Sequence, residues 1–334
     1  MSDYLQFEIS HTSRAAARAG LIKTPRGDIA TPAFMPVATQ ATVKAIPYEQ
    51  LLELNPAIIL ANAYHLYLRP GLEVIGAARG LHDFMAWERP ILTDSGGYQI
   101  FSLSPLHQVS EQGVQFRSPV DGASHFLSPE LAIEMQHTIG AEIIMSFDEP
   151  VAADTTRPRA EAATARSDRW ATRGKRRHDE LGGRALFGIV QGGFWEELRE
   201  ASARRIVDLD FDGYSIGGLS VGEPKATTFA LTRHVAALLP ADRPRYLMGV
   251  GLPGDIVEAV HCGIDIFDCV LPTRMGRNGT ALLRHGRINI RNKKYETDFT
   301  PLDQNCQCAT CRRYSRAYLR HLHKAREILA ATLI

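Results

Sequence analysis

The sequence predicts an α/β fold, a (β/α)8 barrel, from three observations. Short apolar runs recur along the 334 residues, helix-like segments lie between them, and composition does not break along the chain. The runs cover residues 57–62, 90–94, 142–148, 185–191, 211–218, 246–250 and 264–268. Each is continuously apolar rather than alternating, the pattern of strands covered on both faces in a parallel sheet. About eight strand–helix units over this length suit a barrel, with a doubly wound open sheet as the competing arrangement. Nothing reads as an interdomain linker or a short-period repeat, so residues 1–334 are expected to form one barrel domain.

The intervening helices carry their own signals. Ser128-Pro129-Glu130 supplies an N-cap and a first-turn proline, and Gly140 stops the helix they open. Residues 161–181 form a charged, alanine-rich helix. Residues 196–209, 225–239 and 256–262 follow, the last ending at Gly263, and residues 312–331 read as one basic helix near the end.

Composition excludes several classes. The chain is 45% hydrophobic and 22% charged, enough for a large buried core. No apolar run approaches the roughly 18 residues of a membrane span. Met1-Ser2-Asp3-Tyr4 does not begin a basic-then-apolar secretory signal. Five cysteines in this length are no disulfide scaffold, so a reducing cytoplasm is expected. Net charge is only +1, but it is unevenly spread. Residues 1–270 hold 25 Lys and Arg against 33 Asp and Glu, whereas residues 271–334 hold 13 against 4. A basic end on a mildly acidic body points towards a polyanionic partner, and a solvated basic helix is the plainer alternative.

Chemistry in a parallel barrel sits at the C-terminal ends of the strands. Those ends supply Asn62, Asp94, Asp148, Gln191, Gly218 and Asp268. One such Asp is readily explained as a helix N-cap, but three acids and two amides on one rim exceed what packing requires. Two carboxylates flanking a sugar can perform glycosyl chemistry, one attacking the anomeric carbon and the other handling the leaving-group proton. No P-loop is present, which leaves phosphoryl transfer without its usual cradle. The loop after Asp268, which carries Arg274 and Arg277, is placed to hold a charged polymer.

Two motifs mislead. Gly249-Val250-Gly251-Leu252-Pro253-Gly254 fits a dinucleotide fingerprint, but Pro253 interrupts it and a turn with tight glycines explains it better. Asp94-Ser95-Gly96-Gly97 is similar to a serine-protease nucleophile loop, without a supporting histidine and on the wrong scaffold.

Cys306, Cys308 and Cys311 form a tight set of soft ligands that reads as structural zinc, within a small subdomain at 292–334. A closed tetrahedral site needs a fourth ligand, for which His321 and His323 are candidates by spacing; the plainer alternative makes them exposed helix residues. Cys262 and Cys269 lie in apolar surroundings and are expected to be small core residues.

With these motifs in place, the chain resembles bacterial tRNA-guanine transglycosylase essentially end to end. The carriers are Thr93-Asp94-Ser95-Gly96-Gly97-Tyr98-Gln99, Ser146-Phe147-Asp148-Glu149, Val190-Gln191-Gly192-Gly193, Ile216-Gly217-Gly218-Leu219-Ser220-Val221-Gly222-Glu223, Tyr246-Leu247-Met248-Gly249-Val250-Gly251 and Phe267-Asp268-Cys269-Val270-Leu271-Pro272-Thr273-Arg274, followed by the three cysteines. The resemblance implies a (β/α)8 barrel with a zinc-bound insertion. The implied enzyme is a pentosyltransferase that replaces guanine at the first anticodon position of tRNA, in a U-G-U context, with a 7-deazaguanine. It implies that Asp268 is the nucleophile on the ribose and Asp94 the general acid/base. It places the base among Ser95, Gly96, Gly97, Tyr98, Asp148, Gln191, Gly218, Leu219 and Met248. There Asp148 would meet the N–H edge, Gln191 and the Gly218 backbone the carbonyl, and Tyr98 and Met248 the two faces, stacking being worth about 1–3 kcal/mol. The target base would leave its stack to be reached. RNA would run along Gly249, Val250, Gly251, Leu252, Pro253, Gly254 and Asp255, and be held by Thr273, Arg274, Met275, Gly276 and Arg277. A homodimer in the full-length form is also implied.

Two departures matter. Val221 stands where queuine-inserting members tend to have glycine, which favours the small base 7-aminomethyl-7-deazaguanine, while Pro150 replaces a cysteine usual in bacterial members and leaves a queuine preference as the alternative. The family's fourth zinc ligand, a histidine about two dozen residues after the last cysteine, would fall beyond Ile334, so the subdomain is expected to be incomplete and its zinc weakly held. Rival readings are an archaeal-type transglycosylase, a barrel glycoside hydrolase and a non-catalytic tRNA-binding subunit. The first lacks its extra RNA-binding domains here, the second its sugar-binding aromatics, and the third would have lost Asp94 and Asp268.

Overall fold

The computed structural model describes residues 4–103 and 107–334, so of the segment Met1–Tyr4, read above as carrying no secretory signal, only Tyr4 is described. Eight parallel strands close into a barrel in chain order: β1 (Ala33–Ala38), β2 (Ile59–Ala61), β3 (Ile91–Thr93), β4 (Ile143–Met145), β5 (Ala185–Val190), β6 (Gly213–Ile216), β7 (Arg245–Leu247) and β8 (Ile266–Cys269). Closure is made where β8 pairs β1, from Ile266 opposite Ala33 to Cys269 opposite Pro36. Neighbours pair in register with apolar partners, as in Ile59 opposite Ile91 and Met145 opposite Phe187. The interior is a cluster of Met35, Val37, Leu60, Leu92, Ile143, Met145, Phe187, Ile189, Tyr246 and Ile266. Branched and aromatic side chains facing inward from alternate strands fill a barrel of this size completely.

Seven strands lie in the apolar runs read from sequence; β1 does not. Its Ala-Phe-Met-Pro-Val-Ala sequence carries Pro36, which normally argues against a central strand. Here pairing with β8 ends at Pro36 and pairing with β2 begins at Val37, so the residue without an N–H sits where the ladder changes partner.

The helices Pro129–Ile139, Arg157–Leu181, Glu196–Asp208, Lys225–Leu238 and Pro253–His261 connect the strands much as expected. Ser128 caps the first, its Oγ accepting the Leu131 N–H at 3.1 Å, and Gly140 ends it in the left-handed conformation. Gln136 of that helix is fully buried; it accepts from the Thr93 hydroxyl and the Met145 N–H and donates to the Met145 carbonyl, tying β3 to β4.

Three features differ from expectation. Residues 312–331 form parts of three short helices, Ala309–Arg313, Arg316–Ala325 and Ile328–Leu333, because Ser315 caps a new helix and Arg326 closes it in the left-handed region. The segment after Asp268 is the helix Leu271–Arg277 rather than a loop, with Pro272 in its first turn, where a missing N–H is harmless. Two antiparallel sheets were not foreseen: Gln6–Thr12, Arg18–Thr24 and Gly27–Thr31, and His107–Val109, Val114–Arg117 and Ser124–Leu127.

The chain divides into two compact units, Met1–Thr42 with Pro56–Cys269, and Val43–Asn55 with Val270–Ile334. In the second, the hairpin Thr280–Leu283/Gly286–Asn289 and the last helices enclose a small core of Ala281, Ile290, Tyr295, Leu302 and Leu319.

In the first unit the N-terminal sheet is fastened by Arg18. Its guanidinium donates to both Asp265 oxygens at 2.9 and 2.6 Å and to the carbonyls of Ala241 and Arg243, while Asp265 also accepts the Arg245 N–H at 2.6 Å. Both side chains are buried. Removing one partner of such a pair leaves an uncompensated charge. Arg18→Met is therefore expected to lower unfolding free energy by about 3–5 kcal/mol, read from denaturant midpoints at unchanged slope; a loss below about 1 kcal/mol would show the pair to be dispensable.

Candidate active site

All six strand-end residues read from sequence emerge at one rim, because parallel strands point their C-terminal ends the same way. Asn62 and Asp94 directly follow β2 and β3, Asp148 lies three residues past β4, Gln191 directly follows β5, Gly218 lies two past β6, and Asp268 is the last residue but one of β8.

Asp94 is buried among donors. One carboxylate oxygen accepts from the Asn62 and Gln99 amides, the latter at 2.7 Å, and the other accepts the Ala63 N–H at 2.9 Å. Burial pushes its pKa up to about 7, against the pull of those donors, and the charge of Asp268 adds to the rise. Its proton can therefore be given or taken near neutrality.

Asp268 has a different setting. One oxygen accepts the Tyr246 hydroxyl at 2.6 Å and the Gly249 N–H at 2.9 Å. The side chain is half-buried at the rim, and desolvation raises its pKa while these two donors oppose the rise. Tyr246 is held protonated, its own pKa driven well above the usual value by burial and by the Asp268 charge. Oδ1 is occupied by these donors, whereas Oδ2 accepts no hydrogen bond among the described residues.

Asp148 is gripped by Gln191 Nε2 at 2.6 Å and Ser95 Oγ at 3.1 Å, and burial lifts its pKa to about 6. Ser95 in turn accepts the Gly97 N–H at 3.2 Å. Glycine is required at 97: an added Cβ would lie 2.6 Å from the Asp148 carbonyl oxygen and 2.8 Å from its carboxylate. Gln191 Oε1 is buried and has no hydrogen-bond partner among the described residues. An acceptor carboxylate beside an unsatisfied amide oxygen suits a flat heterocycle with N–H donors.

The other expected site residues fall as follows. Gly96 directly precedes the helix Gly97–Leu103, which Gly97 begins; Leu219 is buried; Met248 is half-buried after β7. Tyr98, in the same helix, is 57% exposed. Gly249 to Leu252 form the turn after β7, and Pro253, Gly254 and Asp255 begin the next helix, where Asp255 pairs with Lys225 at 2.5 Å. Thr273, Arg274, Met275, Gly276 and Arg277 lie together on the helix Leu271–Arg277 of the second unit. Cys262 is buried, as expected, and Cys269 is half-buried against Gly251, where any Cβ would sit 2.3 Å from its own. Tyr246 and Gln99 were quoted in motifs without a role; a Tyr in a barrel strand and a Gln five residues past an acid gave no signal of their own.

In the second unit the sulfurs of Cys306, Cys308 and Cys311 lie within 4.8 Å of one another and can hold a metal ion. Cys308 caps the helix Ala309–Arg313, its sulfur accepting the Cys311 N–H at 3.4 Å, which fixes the second and third ligands relative to each other. Among the described residues no histidine joins the cluster; His321 is exposed and the His323 ring packs against Gly279.

Fold and site together define an α/β barrel protein that gathers three differently held carboxylates at one rim. Residues 13–334 match the family described as queuine tRNA-ribosyltransferase. The queuine tRNA-ribosyltransferase of Pelotomaculum thermopropionicum is 55% identical over 330 residues, 98% of this chain and 89% of that protein. Those of Thermoanaerobacter pseudethanolicus and Geobacillus kaustophilus are 54% and 51% identical over 325 and 334 residues, covering 97% and 100% of this chain and 87% and 88% of theirs. The chain belongs to the queuine tRNA-ribosyltransferase family.

Proposed function

We propose that this chain is a tRNA-guanine transglycosylase that exchanges guanine at the first anticodon position for 7-aminomethyl-7-deazaguanine. The observation that carries this is the pairing of Asp268 and Asp94 at one rim beside the Asp148–Gln191 edge. Asp268 Oδ2 attacks the ribose anomeric carbon as the bond to guanine N9 breaks, and Asp94 supplies the proton that leaves with guanine. The RNA is then esterified to Asp268. The incoming base attacks the same carbon, gives its proton to Asp94 and releases Asp268. Two displacements retain configuration, as in retaining glycosidases.

Two features support the smaller base. Glu223 accepts the N–H groups of Ser220 and Val221 at 2.6 and 3.0 Å, which turns the Leu219 carbonyl the other way and makes it an acceptor for an aminomethyl ammonium. The Val221 side chain takes room a bulkier substituent would need. Thr273 to Arg277 are proposed to hold an anticodon loop carrying U-G-U; Gly249 to Asp255, a turn and the start of the next helix, are proposed to line the RNA path, and a homodimer is the proposed assembly. A tRNA substrate and a thiolate metal site both suit the cytoplasm. Trp87 and Trp170 are core residues, which weighs against a sugar platform and hence a glycoside hydrolase.

Labelled guanine incubated with a tRNA bearing that context is expected to enter the first anticodon position; no incorporation by folded protein would overturn the proposal.

The three thiolates suit zinc, which would supply a structural cross-link. Among the described residues the cluster offers three thiolates, and a chelator treatment is expected to remove the metal and lower the melting temperature by a few degrees. An unchanged melting temperature after the metal is removed would count against a structural role.

A further inference from the structure

We infer that Arg199 is a positioning residue for base recognition: its buried guanidinium holds the Gly217 and Gly218 carbonyls and so presents the Gly218 and Leu219 N–H groups as a paired donor for the 6-carbonyl of the purine. The inference rests on the base pocket proposed above. Arg199, on the helix Glu196–Asp208, has no exposed surface; among the described residues no carboxylate lies within ion-pair range of it, and the only carboxylate charge that acts on it is that of Glu223, from beyond that range. Its hydrogen bonds all go to backbone carbonyls: Nε to Gly193 at 2.7 Å, Nη1 and Nη2 to Gly217 at 3.0 Å, and Nη2 to Gly218 at 3.3 Å. An unpaired buried cation is costly, and a scaffold seldom keeps one for packing alone.

What the guanidinium orients follows from peptide geometry. In a trans peptide the carbonyl of one residue and the N–H of the next point in opposite directions. Holding the carbonyls of residues 217 and 218 on Arg199 turns the N–H groups of residues 218 and 219 away from it. Gly218 has φ +64°, and a left-handed residue in such a turn brings successive N–H groups together into a concave donor nest. Neither N–H makes a hydrogen bond among the described residues. The turn is in contact with Gln191: a Cβ on Gly218 would lie 2.5 Å from Gln191 Oε1 and one on Gly217 2.7 Å from its Nε2. Arg199 also packs under Gly192, where a Cβ would lie 2.6 Å from its own Cγ and N, so one side chain fixes both glycine turns that flank the proposed base edge.

The test compares guanine, which has the 6-carbonyl, with 2-aminopurine, which lacks it, as competitive ligands of the full chain. Arg199→Gln is expected to weaken guanine about 10–100-fold, the loss of one oriented donor pair. 2-Aminopurine affinity and the KM for tRNA should stay within about twofold, and Arg199→Lys should fall between Gln and wild type. Equal weakening of both purines, or unchanged guanine affinity in folded Arg199→Gln, overturns the inference. If Arg199→Gln does not unfold cooperatively, Arg199→Lys decides: selective loss of guanine supports the role and wild-type affinity overturns it. Failure of the wild type to incorporate guanine would instead remove the base-pocket reading.

Discussion

Asp268→Asn should abolish base exchange, lowering the single-turnover rate by about 10⁴-fold or more. The Asn oxygen would accept from the Tyr246 hydroxyl and the Gly249 N–H that now donate to the carboxylate, which leaves the non-nucleophilic NH2 in the place of the attacking oxygen. The variant should fold and still bind tRNA, because its side chain has the same shape and no ion pair is broken. Wild type mixed with tRNA and quenched in denaturant should give a protein–RNA adduct on a denaturing gel, and the variant none. An adduct from Asp268→Asn, or exchange above a tenth of the wild-type rate, would remove Asp268 from the bond-forming step.

The second large effect is expected at Asp94. Replacing it with Asn should slow exchange by about 10²–10⁴-fold, the usual contribution of a positioned acid/base. Its pH signature separates it from Asp268. A group with a pKa of about 7 is protonated below that pH and can give a proton to departing guanine; above it the ionised form can take one from the entering base. Guanine-for-guanine exchange needs both in turn, so the rate should peak near pH 7 and fall on either side. In Asp94→Asn that maximum should vanish, leaving only the acid-side fall as Asp268 is protonated. A profile with the same maximum in the variant would show that another group moves the proton.

Much of the barrel was readable because the strands that form it are buried on both faces, and burial leaves continuous apolar runs behind. β1 escaped because proline at its centre is tolerated only where pairing switches from β8 to β2, a fact of register that no local pattern carries. The rim acids were readable for a related reason: an ionisable residue ending an apolar run stands out. Tyr246, Gln99 and Arg199 were not. Each is ordinary in its local sequence and acquires a task only when folding brings it against Asp268, Asp94 or the glycine turns. The short C-terminal helices were hidden because Ser315 and Arg326 break the periodicity through their backbone conformations, leaving composition unchanged.

The discontinuous second unit bears on how this chain can be made and dissected. Residues 43–55 leave the ribosome with the start of the barrel, yet the compact body they join is otherwise encoded after residue 269. At about 5–20 residues per second that segment waits on the order of ten seconds or more for its companions. A gene fragment starting at Val270 would lack it altogether. The cysteine-bearing body therefore cannot be expressed alone by cutting the gene at one point; a working graft would need the early segment fused back on, and a chaperone-free synthesis would expose its apolar residues throughout the delay.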